Sequence, residues 1–223
     1  MLKIAHRGAS GYELENSMSA FKKAIELGVD LVELDLQLTK DDQLVVFHDY
    51  ALDRCTNSKG LIADVTLADL RKNVLLKNGE KIPTLTEVCD LFADHDVPLL
   101  VELKNTNTAA KAYKELISKL SGDDFSLGSF FHKQIYNLKS QWPDASTCIM
   151  FESYPIDLTI YLKKLKVDYV AAGFESTTPE MVDEIRKANV KSLVWTVNTV
   201  EDIREAKKMN VDGIISNYPD RIG

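Results

Sequence analysis

Short apolar or alternating runs recur along this chain, separated by longer stretches with helical spacing. The runs are Leu2–Ala5, Leu31–Leu38, Leu99–Leu103, Asp124–Phe130, Ser146–Phe151, Asp168–Gly173, Ser192–Val197 and Gly213–Ser216. Eight β-type runs alternating with helical segments are the signature of parallel strands joined by crossover helices. In 223 residues, that alternation predicts an α/β protein, a (β/α)8 TIM barrel forming one domain over residues 1–223.

The helices carry their own signals. Asn16 or Ser17 can cap the first, Phe21, Ala24 and Ile25 form its apolar stripe, and Gly28 ends it. Thr84-Leu85-Thr86-Glu87 reads as a capping box, and Thr199-Val200-Glu201-Asp202 as a variant with Asp. Thr178-Pro179 sets proline at a first helical position. Gly28-Val29-Asp30, Lys166-Val167-Asp168 and Asn210-Val211-Asp212 each leave a helix and enter a strand, a repeat on the scale of one βα unit. Tyr50 to Ile82 breaks the rhythm and is expected to be a small insertion after the second strand, helical around Leu67–Leu75. Little chain follows the eighth strand, so the last outer helix should be vestigial.

Polar residues fall unevenly on this frame. In Leu31–Leu38 the side chains of Val32, Leu34, Leu36 and Leu38 share one face and Glu33, Asp35 and Gln37 the other. Alone this is an ordinary half-exposed strand, but a barrel strand has no solvent face. The carboxylates then point inward, where unpaired charge is costly and a cation is needed. The third barrel strand repeats the arrangement, with Glu102 and Lys104 sharing a face. Three carboxylates form an all-oxygen set suited to Mg²⁺ or Ca²⁺; a buried Lys104–Glu102 ion pair is the plainer alternative. His6 closes the first strand at the barrel rim, and His48 ends Leu44–His48 after a turn at Lys40-Asp41-Asp42-Gln43. A two-residue turn would set His48 opposite Asp35. Two imidazoles, a cation site, Arg7 and Lys104 together make a phosphoryl-transfer constellation.

Composition narrows the partners. A net charge of −7 gives no support to a nucleic-acid partner and disfavours anionic membranes. No run spans a bilayer and the first residues do not read as a signal peptide, so a soluble cytoplasmic protein without stable membrane insertion is expected. Cys55, Cys89 and Cys148 are sparse and odd in number, which fits a reducing compartment. The expected partner is a small anionic substrate; nothing in the sequence sets the oligomeric state.

The residues His6-Arg7-Gly8, Glu15-Asn16-Ser17, Glu33-Leu34-Asp35, Thr39-Lys40-Asp41 and His48-Asp49 come in an order that resembles the glycerophosphodiester phosphodiesterase family. The resemblance continues through Ile82-Pro83-Thr84-Leu85, Glu102-Leu103-Lys104, Trp195-Thr196-Val197-Asn198 and Asp212 to Pro219. It implies hydrolysis of glycerophosphodiesters to glycerol phosphate and an alcohol. It also implies a divalent metal held by Glu33, Asp35 and Glu102, an acid–base pair in His6 and His48, phosphate contacts from Arg7 and Lys104, and Trp195 lining the pocket. Leu14 and Ser17 depart from the family's usual proline and threonine. Arg7 beside His6 should favour its neutral form, and Asp35 should favour the charged form of His48. Alternatives are a lysophospholipase D-type hydrolase, a non-catalytic barrel that binds phosphorylated ligands, and a Mg²⁺-dependent proton-abstracting barrel.

Overall fold

In the computed structural model, which describes residues 1–223, all eight runs are strands. In chain order the strands are β1 (Leu2–Ala5), β2 (Leu31–Leu38), β3 (Leu44–Val46), β4 (Leu99–Leu103), β5 (Phe125–Ser129), β6 (Thr147–Phe151), β7 (Tyr169–Gly173), β8 (Lys191–Trp195) and β9 (Gly213–Ser216). β1 pairs in parallel with both β2 and β9, which closes eight parallel strands into a barrel. β3 is the extra strand, antiparallel to β2. The helices are α1 (Met18–Glu26), α2 (Leu67–Asn73), α3 (Leu85–Phe92), α4 (Ala109–Ile117), α5 (His132–Gln141), α6 (Leu158–Leu165), α7 (Pro179–Lys187) and α8 (Val200–Lys208). A 3-10 turn at Pro219–Ile222 stands where an eighth outer helix would be.

Strand parity separates two apolar layers. Val32, Leu34 and Leu36 of β2 and Leu99, Val101 and Leu103 of β4 pack outward against α1 and α3 residues such as Phe21 and Phe92. Ile4, Leu31, Leu100, Met150, Leu193 and Ile215 fill the barrel axis. Two residues further along β2 and β4 the inward positions become Glu33, Asp35 and Glu102, so the interior changes from apolar filling to charge at the C-terminal rim.

Local chemistry fixes the helix starts. Ser17, not Asn16, caps α1, accepting from Ala20 N at 3.1 Å. Thr84 and Glu87 form the reciprocal capping box, and Thr178 caps α7 with Pro179 next. The box expected at Thr199 does not close. Thr199 accepts from Asp202 N, but Asp202 takes the Thr199 hydroxyl at 2.6 Å, its side chain being one methylene shorter than that of Glu.

The repeated Val-Asp pairs prove to be strand clamps. The residue before each valine has positive φ, as helix ends favour: Gly28 (63°), Lys166 (56°) and Asn210 (56°). The valine is buried. The aspartate then accepts from a backbone N–H at the foot of another strand: Asp30 from Lys3 (2.7 Å), Asp168 from Thr147 (2.9 Å) and Asp212 from Ser192 (2.7 Å).

The hairpin differs from expectation. Leu36 faces Val46 and Gln37 faces Val45, and Thr39 N donates to Gln43 O at 3.0 Å. The loop therefore has three residues, Lys40-Asp41-Asp42, with Asp42 at φ 58°, a common three-residue hairpin geometry. That extra residue slips the register by one, so Phe47 rather than His48 bonds to Asp35, through its backbone N–H. Residues 50–82 follow as a compact unit in which Leu52, Cys55, Ile62, Leu70, Val74, Leu76 and Ile82 pack with Val45 and Phe47 of the hairpin.

Candidate active site

Glu33, Asp35 and Glu102 each offer an oxygen within 4.8 Å of the others, and all three are buried. They belong to adjacent strands: Asp35 pairs with Glu102 across β2 and β4. Lys104 bridges Asp35, at 3.0 Å, and Glu102. The alternative of a simple Lys104–Glu102 pair is therefore too narrow, because the lysine serves two carboxylates. Arg7 Nε lies 3.2 Å from Asp35 Oδ2 on the other side. Asn16, buried beneath, donates to the same oxygen at 2.7 Å.

The electrostatics are lopsided. Burial pushes Glu33 well above the usual carboxylate range, with Asp35 and Glu102 adding repulsion. Burial, with Asp35, pushes Glu102 up to about 7. Burial acts the same way on Asp35, but Lys104 and Arg7 outweigh it and hold that carboxyl below its ordinary value. Only Asp35 is well compensated; the other two crowd one point with too little positive charge. Asp35 Oδ1 is buried without a hydrogen bond, although Lys104 stands near it. Three convergent hard oxygens with that imbalance fit a divalent cation.

The two histidines flank this group. His6, at the end of β1, directs Nδ1–H to Asn217 Oδ1 at 2.7 Å, and its Nε2 is 4.0 Å from Glu33 Oε2. Burial, then Arg7, lowers its pKa to about 4, so the neutral form expected is the one favoured. His48 Nδ1–H donates to Asp49 Oδ1 at 2.6 Å. Asp35 does push His48 toward its charged form, but burial is the larger influence and the net shift is downward, against expectation. In both rings Nδ1 is engaged and Nε2 is left for other chemistry. His48 reaches the cavity because β3 has ended and the chain turns, not through a ladder position opposite Asp35.

Arg7 owes its aim to backbone geometry. It has φ 56° and its N–H donates to Glu33 Oε2 at 2.8 Å. Gly8 follows at φ 77°, where a Cβ would lie 2.7 Å from the Ala20 backbone, so only glycine fits. Arg7 then meets Glu15 at 2.8 Å, Glu15 meets Arg54, and Arg54 meets Asp49, linking the two sides of the site.

These groups open into a cavity of about 570 Å³. His6, Arg7, Glu33, His48, Glu102 and Lys104 line one part of it, and Trp195 and Phe130 another; Asp35 sits just beneath. All eight residues singled out in the sequence thus come together. Asp49, Asn217, Glu15 and Arg54 gained no role from the sequence, and Asn16 was read there only as a helix cap, not as part of the site. All but Arg54 stand inside or beside the ordered motifs, so the signal was present. Arg54 lies in the insertion, where nothing in the local pattern marks it.

A model of the glycerophosphoryl diester phosphodiesterase family matches residues 6–221. A glycerophosphodiester phosphodiesterase of Caldanaerobacter subterraneus subsp. tengcongensis is 35% identical, over 99% of this chain and 96% of its own. One of Bacillus subtilis is 33% identical, over 99% of this chain and 84% of its own. A solved phosphodiesterase structure from Oleispira antarctica, in complex with the product sn-glycerol-3-phosphate, superposes with a TM-score of 0.91 at 27% identity, covering 98% and 94% of the two chains. No helix is long and apolar enough to cross a membrane.

Proposed function

This chain belongs to the glycerophosphoryl diester phosphodiesterase family, and from that premise we propose that it hydrolyses glycerophosphodiesters to glycerol phosphate and an alcohol, with His6 and His48 as the acid–base pair. The observation that carries the reading is the convergence of three buried carboxylates with two imidazoles whose Nδ1 atoms are both engaged.

Glu33, Asp35 and Glu102 hold the divalent cation, Mg²⁺ or Ca²⁺. When bound, it supplies positive charge that offsets charge building on the phosphoryl oxygens. Arg7 and Lys104 orient the phosphate from either side of Asp35, and their own charge is kept in place by that carboxylate. His6, neutral and fixed by Asn217, takes a proton at Nε2 from the attacking oxygen, either water or a glycerol hydroxyl of the substrate. His48, whose Nδ1–H is held by Asp49, acts as the acid in its doubly protonated form, taking a second proton from solvent at Nε2 and delivering it to the leaving alkoxide. Trp195 walls the far side of the cavity and excludes water there. Residues 50–82 act as a cover that shapes substrate choice, with Tyr50 reaching across to the Lys104 carbonyl at 2.9 Å.

The test is a panel of glycerophosphodiesters and lysophospholipids incubated with EDTA, Mg²⁺ or Ca²⁺, with glycerol phosphate and lysophosphatidate quantified. Glycerol phosphate release that EDTA abolishes and a divalent ion restores is the expected outcome. Release untouched by EDTA removes the cation from the reading, and no release from any diester removes the reading itself.

A further inference from the structure

The cavity is polarised. Its cations, Arg7 and Lys104, lie on the side built by β1, β2 and β4. Across the mouth, directly after β6, stands Glu152. It is exposed and joins none of the ion pairs that engage the other rim carboxylates. A shallow depression continues the cavity past it, and there Glu175, on the 3-10 turn after β7, faces the same wall as Glu152 and Trp195. That wall is aromatic and fixed. The Trp195 indole N–H donates to Ala171 O at 3.1 Å, and Phe130 meets the indole edge to face, 5.7 Å between centroids at 90°.

A diester whose phosphate lies at Arg7 and Lys104 has its alcohol on one side of that anchor. An alcohol bearing a positive charge gains twice by turning toward Glu152: from two carboxylates without partners, and from aromatic faces that attract cations. A neutral alcohol gains neither. We propose that Glu152, backed by Glu175 and walled by Trp195 and Phe130, selects diesters whose alcohol carries a quaternary or protonated ammonium group. The proposal rests on the phosphodiesterase reading above and adds the class of leaving alcohol.

The experiment compares kcat/KM for glycerophosphocholine and glycerophosphoglycerol with the full chain and its divalent ion, at low and at about 0.5 M NaCl. The wild type favours the choline ester. Glu152→Gln lowers the choline-to-glycerol ratio by about two- to fivefold, the range of one exposed charge contact. Glu152→Lys lowers it further, and high salt compresses the wild-type ratio toward that of the glutamine variant. Turnover of both esters with the ratio unchanged by Glu152→Gln and Glu152→Lys overturns the proposal while leaving the phosphodiesterase reading intact. So does an equal loss on both esters, which would make Glu152 a contact to the shared glycerol half. No glycerol phosphate from either ester overturns both.

Discussion

Arg54 of the insertion grips Glu15 of the β1–α1 loop with two nitrogens, at 2.6 and 2.7 Å. The same guanidinium holds Asp49 at 2.7 and 2.9 Å, and Asp49 holds His48. Glu15 in turn holds Arg7. A residue outside the barrel repeat therefore steadies the His48 imidazole and, through Glu15, the Arg7 guanidinium. Arg54→Ala should lower kcat by about 10- to 100-fold, as loss of supporting contacts around a site does, with little change in melting temperature. Arg54→Lys should not restore it, because an ammonium cannot span two carboxylates with a fork. Steady-state kinetics with a thermal melt checks both; full activity in Arg54→Ala would detach the insertion from the chemistry.

The Arg54 hydrogen bonds also lower the Asp49 carboxyl to about 2. A carboxyl depressed on folding contributes stability that is fully present above its unfolded value near 4 and is lost as pH falls toward 2. Asp49 is partly exposed, so the contribution should stay below about 1 kcal/mol. Urea unfolding from pH 5 to pH 2 should show a shallower loss for Asp49→Asn than for wild type. Identical slopes would remove Asp49 from the acid response.

The three acidic residues should behave differently when neutralised. Glu33→Ala and Glu102→Ala relieve repulsion, so both should stay folded, equal or better in stability in EDTA, while turnover is abolished. Asp35→Ala strands Arg7 and Lys104 without their shared partner, and removing one member of a buried ionic group costs about 3–5 kcal/mol. Denaturant midpoints in EDTA separate the cases. Wild-type activity in either glutamate variant would remove the cation site from these residues.

Leaving-group chemistry separates the histidines. p-Nitrophenolate departs without protonation, so His48→Ala should lose about 10²–10⁴-fold on alkyl glycerophosphodiesters yet recover much of that on p-nitrophenyl esters. His6→Ala should be impaired on both. The reverse pattern exchanges the roles, and losses of only a few-fold everywhere dismiss the pair.

Strand parity explains why so much of this site was legible. Glu33, Asp35 and Glu102 sit at inward positions of strands whose other face is continuously apolar, and closing the barrel leaves them nowhere else to point. His6, Arg7 and Gly8 were readable for a similar reason, since a strand end at the rim is where barrel chemistry gathers. The hairpin was not legible to the residue. Two- and three-residue turns fit Lys40-Asp41-Asp42-Gln43 about equally, and the choice depends on Asp42 taking positive φ. His48 still reached the cavity because the chain leaves the ladder after Phe47, whose N–H makes the last backbone bond to β2. The pairing of Arg54 with Glu15 spans 39 residues across an irregular segment, and no periodicity encodes such a contact.

The Val-Asp repeat was visible as spacing, but its purpose shows only in the folded barrel. Asp212 accepts from both the N–H and the hydroxyl of Ser192, and Asp168 from both groups of Thr147. Asp212→Ala and Asp168→Ala should each cost about 1–2 kcal/mol in urea unfolding, as charge-assisted bonds to backbone do. Neither should change kcat/KM, because the clamps lie at the barrel end opposite the cavity. A loss of activity at unchanged stability would contradict that placement.

The bond from His6 to Asn217 joins residues 211 apart in the chain. It crosses the seam where β1 meets β9, while the other staves are clamped to neighbours close in sequence. A ribosome can thus lay down most of the barrel wall stave by stave, yet His6 has no partner for its Nδ1 until β9 has emerged and docked. The side-chain bond that fixes the His6 ring therefore depends on the last stave of the chain, so any chemistry that needs the ring held would wait for that stave to dock.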